Sequence, residues 1–125
     1  MGATIAVAVA GFFGAAARYG LTLLLPDGGG AGWPWATLFI NLSGSFLLGL
    51  LLGYAMRRPL AAWLREAAGT GFLGAFTTFS AFNAQLWGMV QHQAYLSAAV
   101  YAAASGLVGW GLAALGLSWG RGRQT

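Results

Sequence analysis

Cysteine and lysine are both missing from this chain, and Asp27 and Glu66 are its only acids. Without cysteine there is no disulfide framework, no thiolate metal site and no thiol nucleophile. Charged residues make up 6% of the sequence and hydrophobic ones 58%, with a mean hydropathy of +0.70. A soluble domain carries about a quarter charged residues because its surface must face water. This chain cannot cover such a surface and is read as embedded in lipid. The formal net charge of +4 rests on arginine alone. The arginines cluster in short connectors between apolar runs, which points to a membrane surface as the partner and away from nucleic acid. The single histidine, His92, falls in a connector. No pair of titratable groups lies inside an apolar run to act as acid and base, and no cluster has metal-ligand spacing, so no enzyme is expected. A proton-coupled transporter is disfavoured because it needs a titratable group at membrane depth.

A hydrocarbon core of about 30 Å takes roughly 20 apolar residues in a helix. Four runs reach that length, at about 4–25, 35–56, 68–90 and 95–119. They predict an all-α membrane protein with four transmembrane helices in a single domain over residues 1–125. The connectors PDGGGAGWP, RRPLAAWLRE and QHQA are turn-rich or charged, as inter-helix loops are. The first run lacks the positive start of a signal peptide and is long enough to span, so it reads as a retained helix. Trp33, Trp35, Trp63, Trp87 and Trp119 fall near the ends of the runs, where an aromatic belt belongs. With an even number of spans, Arg57, Arg58, Arg65, Arg121 and Arg123 share one side, and the other loops carry no arginine. The positive-inside rule then places both termini in the cytoplasm of a multi-pass plasma (inner) membrane protein.

Glycines inside apolar helices mark close backbone approach. Asn41, Ser45, Gly49 and Gly53 recur every four residues on the second run; Tyr101, Ser105 and Gly109 do so on the fourth. The first offers Gly11, Gly14 and Arg18. Asn41 lies well inside its span, where an amide must be hydrogen-bonded or face water. An interhelical clasp and a pore-lining role both fit it. Arg18 sits deeper than an end anchor; it either snorkels to the interface or is a buried structural or anion-attracting charge. The third run holds the densest signal, Gly69 to Asn83, with glycines followed by Thr77-Thr78 and interleaved phenylalanines. Such residues form helix poorly, and a break at this depth frees carbonyls that can hold a cation. The edges of aromatic rings carry the positive end of the quadrupole and can face an anion.

Gly74-Ala-Phe-Thr-Thr-Phe-Ser-Ala-Phe82 resembles the third-helix signature of the CrcB/Fluc fluoride channels. Gly11-Phe-Phe-Gly-Ala-Ala-Ala-Arg18-Tyr19 and Thr37-Leu-Phe-Ile-Asn41-Leu-Ser-Gly44-Ser-Phe46-Leu-Leu-Gly49 agree with that family, as does the four-span length. The resemblance implies an antiparallel dimer with two fluoride pores and passive export of cytoplasmic fluoride, relieving its toxicity. Phe79 and Phe82 match the pore phenylalanines, and Asn41 matches the pore asparagine. Tyr101 and Ser105 resemble a polar track on the fourth helix, with Thr78 and Ser80 as further hydroxyls. Gly74 and Thr77 match positions whose carbonyls hold a structural Na+ at the dimer interface, and Arg18 matches the first-helix arginine. Three departures stand out: Gly74-Ala75 in place of a Gly-Gly pair, Gln85 where a glutamate is common, and Gly109 where a hydroxyl is expected.

Two other functions are weighed. A small multidrug exporter depends on a glutamate in its first helix, and this chain has no acid there. A non-transporting membrane subunit would explain the glycine stripes but not the Gly-Thr-Thr-Phe stretch. The arginine bias bears on assembly, because a chain that inserts in both orientations should have balanced loops. The partner is therefore either a second, antiparallel copy or an oppositely inserted homologue. Reporter fusions at the two termini test this: the bias predicts one orientation. A single orientation combined with a purified homodimer that conducts would contradict the inference from charge.

Overall fold

The computed structural model describes residues 1–122, and within them the chain is helical between short connectors. Helices α1 (Gly2–Leu24) and α2 (Trp35–Arg57) are uninterrupted. Helix α3 (62–76) starts as an α-helix at Ala62–Glu66, widens into a π-helix over Ala67–Leu73 and ends with Gly74–Phe76. After a two-residue break, α4 (Phe79–Gln91) continues. Helix α5 (Tyr95–Arg121) contains a second π segment, Ala104–Val108. Helices α1, α2 and α5 are each long and apolar enough to cross a membrane. The remaining crossing is shared between α3 and α4.

The third run begins earlier than its apolar pattern predicts, at Ala62 in place of about residue 68. The stretch RRPLAAWLRE reads as a loop by charge. Yet only Pro59 forbids helix there, and Ala61 in an extended conformation starts the new one. Arg65 and Glu66 are exposed on its first turns. Glu66 is thus helical and not in a loop, and it accepts a hydrogen bond from Thr70 Oγ1 one turn on (3.1 Å). Gly69 and Gly71 do not interrupt the helix; they lie in its π-helical part. The interruption comes at Thr77 and Thr78, both extended (φ −75°, ψ 157° and φ −146°, ψ 117°).

Glycine sets how the helices pair. In lipid, tails are as apolar as leucine, so helices associate by close packing of small residues. Helix α1 lies on α3, with Gly14 against the Phe72 carbonyl and Gly71 against that of Val7, so that a Cβ at either would collide with backbone. Helices α2 and α5 meet reciprocally. Gly49 and Gly53 face the carbonyls of Ala113 and Leu117, while Gly116 and Gly120 face those of Phe46 and Leu50. Both pairs have the i, i+4 spacing that keeps them on one face.

Two apolar clusters flank the break. Ile40, Leu73 and Phe76 form one with Ala17, Leu21 and Leu51; Met89, Ala98 and Tyr101 form the other with Trp33, Leu38, Phe82 and Leu86. The first and third connectors touch at the arginine-free end, where Gly30 lies against the His92 ring. At the opposite end Arg57 of α2 reaches Gly122 beyond α5. Arg123, the last of the one-sided arginines, lies outside the described residues.

Putting a leucine into the α2–α5 seam should separate two backbones. Gly49→Leu and Gly116→Leu are each expected to cost about 1–3 kcal/mol or more, read as a lower thermal midpoint in detergent. Gly106, with open space where a Cβ would stand, should accept alanine without loss. A Gly49→Leu protein melting with the wild type would show that the seam does not hold the pair together.

Candidate functional site

The break in the third span is organised by one side chain. Asn41 Nδ2 donates to the Thr78 carbonyl (2.9 Å), and the Thr78 N–H donates to Asn41 Oδ1 (2.8 Å). The amide thus completes both backbone groups of a buried residue that belongs to no helix on its own N-terminal side. Thr78 then caps α4: its Oγ1 accepts from the Ala81 N–H (3.2 Å) and lies 3.2 Å from Ser80 Oγ. Thr77 turns its hydroxyl back to the Leu73 carbonyl (2.9 Å), and its methyl fills the space left by the missing side chain of Gly44.

These substitutions release particular acceptors. In an unbroken helix the N–H of residue i+4 bonds the carbonyl of residue i. Thr78 N–H goes to Asn41 and not to the Gly74 carbonyl, and Ala81 N–H goes to Thr78 Oγ1 and not to the Thr77 carbonyl. Gly74 and Thr77 are the two residues for which a cation-binding carbonyl is expected from the sequence. Both line an open cavity of about 290 Å³ together with Asn41, Ser45, Gly69, Thr78 and Phe79. Carbonyl oxygen is the donor type that a hard cation takes, so the residues present fit Na+ in chemistry. The break also takes the Phe79 and Ser80 N–H groups away from the Ala75 and Phe76 carbonyls. Of the four residues whose carbonyls are released, only Gly74 and Thr77 line the cavity, and two oxygens are fewer than such an ion coordinates.

On the other side of Thr78, a second cavity of about 320 Å³ is lined by Arg18, Tyr19, Asp27, Thr37, Thr78 and Gln85. Asp27 closes the N-terminus of α2. Its Oδ1 accepts from the N–H groups of Ala36 (2.9 Å) and Thr37 (3.3 Å), where the helix dipole favours a negative charge. Its Oδ2 accepts from Thr37 Oγ1 (3.1 Å) and Gln85 Nε2 (3.2 Å). Gln85 Nε2 also donates to Thr37 Oγ1 (2.8 Å), and Gln85 Oε1 accepts from the Tyr101 hydroxyl (2.8 Å). A continuous polar wall therefore runs from the α2 terminus to Tyr101, in the second turn of α5.

The structure brings most of the residues singled out from the sequence to this one region. Phe79 and Phe82 stack (centroids 5.9 Å apart), and Phe82 packs on Tyr101 (5.1 Å). Phe79 is 74% exposed at the mouth of the first cavity, whereas Tyr101 is fully buried. Ser105 lies one turn beyond Tyr101 in the π segment of α5, and its buried Oγ has no hydrogen-bond partner among the described residues. Ser80 is exposed and Arg18 half-buried. Asp27, Thr37 and Gln85 are the part that motif reading missed. Asp27 reads as a loop acid, because its partners are nine to 58 positions away in sequence. The only local signal is the proximity of an acid to the start of an apolar run.

Of the two roles open to Asn41, the clasp is present in the fold. Asn41→Ala leaves the Thr78 N–H without a partner in a buried setting and takes one of two donors from its carbonyl, which as the N-cap also accepts the first bond of α4. It is expected to lower stability by about 1–3 kcal/mol and to speed hydrogen exchange of the Thr78 amide. Unchanged exchange at Thr78 would show that the break is held by packing alone.

Residues 5–117 match the family model described as CrcB-like protein, Camphor Resistance (CrcB). The chain is 44% identical over 115 residues to a fluoride-specific ion channel FluC of Bordetella petrii, covering 91% of this chain and 88% of that one. It is 40% identical over 114 residues to a fluoride-specific ion channel FluC of Thermus thermophilus, covering 91% of each. A FluC 2 of Geobacillus kaustophilus is 44% identical over 102 residues, or 81% of this chain and 79% of the relative. A family match over nearly the whole length, on a fold with a clasped break in its third span, means that this chain belongs to the CrcB family.

Proposed function

We propose that this protein is a passive, fluoride-selective membrane channel that lets cytoplasmic fluoride leak out and so relieves its toxicity. The observation that carries this reading is the clasped break at Thr77-Thr78, with Phe79 and Phe82 stacked beside it and a hydroxyl-rich wall beyond. Fluoride is small and strongly hydrated, so its water must be replaced by donors as it enters. Thr78, Ser80, Tyr101, Ser105 and Asn41 supply hydroxyl and amide groups, and the phenylalanine edges supply a weakly positive wall. The orphan Ser105 hydroxyl suits an ion or a water that visits the site. Arg18 attracts the anion from one wall of the second cavity. A full charge on the path itself would hold the ion too tightly for conduction. The relatives bear the name fluoride-specific ion channel.

The working unit in this proposal is an antiparallel dimer, either of two copies or with an oppositely inserted homologue, forming two pores. Two features support it. Phe79 presents most of its surface outward at the mouth of an open cavity. A second chain would also double the released Gly74 and Thr77 carbonyls around one Na+, which would then tie the two breaks together without taking part in transport.

Liposomes reconstituted with this chain alone provide the test, with chloride as the control ion. Rapid fluoride efflux without chloride efflux is expected. Phe82→Ile should abolish the fluoride signal while the protein elutes and melts as before. Full flux in that variant would remove Phe82 from the pore. Absence of efflux from the wild type, even with an oppositely inserted homologue present, would favour a non-transporting subunit.

A further inference from the structure

The wall from Asp27 to Tyr101 has a fixed direction, and one residue sets it. An ionised carboxylate only accepts hydrogen bonds. Whatever faces Asp27 Oδ2 must therefore be a donor, which turns the Gln85 amide so that Nε2 points to Asp27 and Thr37 (3.2 and 2.8 Å). Its carbonyl oxygen is then left facing Tyr101, 2.8 Å away, where it needs a donor in turn. The Tyr101 hydroxyl hydrogen is committed to Gln85 as a result. Thr37, 2% exposed, is held in the same sense: its hydroxyl donates to Asp27 and accepts from Gln85. Gln85 Nε2, the Thr37 hydroxyl and the Tyr101 hydroxyl are all engaged before any anion arrives.

We propose that Asp27 is the positioning residue of this wall, holding Gln85 in one amide orientation and thereby keeping the Tyr101 hydroxyl hydrogen turned away from a passing anion. The proposal rests on the channel reading above and deepens it. Asp27 itself need not touch the ion. Its own charge is met by two backbone N–H groups at the α2 terminus, one hydroxyl and one amide. With that charge satisfied, an anion on the Arg18 side of the same cavity meets a wall that is polar but already hydrogen-bonded. Tyr101 is buried behind Gln85 and is not itself on the cavity wall. Its hydroxyl donates a hydrogen bond to the ion only by releasing Gln85 Oε1, so binding there stays weak and release stays quick. If Asp27 loses its charge, Gln85 is free to turn over. Its Nε2 then points at the Tyr101 oxygen, and the Tyr101 hydrogen is free to donate outward.

The substitution that isolates this effect is Asp27→Asn, which keeps a helix cap at α2 and removes the charge. Two readouts are taken on the full-length protein. In 15N-glutamine NMR in detergent, exchange of the Gln85 side-chain amide protons should be slow in the wild type and about tenfold faster in Asp27→Asn. In proteoliposomes, half-saturating fluoride concentration should fall roughly threefold or more, by the gain of one hydrogen bond to the ion, and the maximal rate should fall with it. Adding Tyr101→Phe to Asp27→Asn should remove most of that shift, since the freed donor is gone. Should Asp27→Asn fail to fold, Gln85→Met leaves Asp27 on Ala36 and Thr37, removes the acceptor of the Tyr101 proton, and should shift flux in the same direction. Gln85 amide exchange unchanged by Asp27→Asn overturns the positioning role. Faster exchange with unaltered half-saturation and rate overturns its effect on the ion, as does wild-type concentration dependence in Gln85→Met. A wild type that passes no fluoride defeats the channel reading instead, and the NMR readout still decides the role of Asp27.

Discussion

A backbone that leaves its helix inside a bilayer has no water to bond with, and that constraint governs the rest of this molecule. Each unsatisfied N–H or carbonyl at that depth costs several kcal/mol. Here Asn41 Oδ1 takes the Thr78 N–H that has left the helical ladder, while Nδ2 ties the Thr78 carbonyl, at the start of α4, to α2. With Thr78 secured, its hydroxyl is placed to start α4, Thr77 can fold its own hydroxyl back on Leu73, and the Gly74 and Thr77 carbonyls are released in residues that line the open cavity. The same short segment therefore separates the two apolar clusters, frees backbone carbonyl oxygens and presents Phe79. Gly44 serves this arrangement by letting the Thr77 methyl lie against α2, close enough for a side chain as short as asparagine to reach Thr78.

Much of this is legible in the sequence, for identifiable reasons. Apolar runs are long-range averages, so the spans emerge despite local uncertainty, and the threonine pair locates the break because it follows helix-poor residues at membrane depth. The start of α3 is misplaced because charge reads as a sign of loop. At a membrane interface an exposed first turn of helix carries charge just as readily, and Glu66 with Thr70 is such a turn. The stripe containing Gly49 and Gly53 is visible as spacing. Its counterpart, Gly116 and Gly120, lies among many small residues, and only the packing distinguishes those two from Gly106 or Gly111. For Asn41 the sequence offers two roles and no means of choosing. The choice depends on where Thr78 lies, 37 positions away.

Asp27 marks the limit of local reading. It stands in a glycine-rich connector, exposed, before the α2 helix it caps. Its engagement with Gln85 depends on how the connector returns to α2, through the close pass of Gly28 and Gly32 and the bridge between Asp27 and Pro34. Gln85 itself stands out in the sequence only as a departure from the family pattern. In the fold, the nearest carboxylate to that position comes from a different part of the chain. The polar wall thus has its acid at the helix terminus, where backbone N–H groups offset the charge, and a neutral amide beside Tyr101.

The α2–α5 seam also bears on the order in which the molecule can be completed. Helix α2 is made before α5, with Gly49 and Gly53 exposed as bare backbone until the carbonyls they fit, those of Ala113 and Leu117, have been made. The α2 side of this seam therefore stays open until residues near 113–120 arrive, while α1 can already settle on α3 through Gly14 and Gly71. At that moment a single docking event closes the seam and draws the end of α5 toward Arg57. Closure of this seam is gated by α5, and until α5 docks α2 keeps an unfilled groove marked by the absence of side chains rather than by an excess of them.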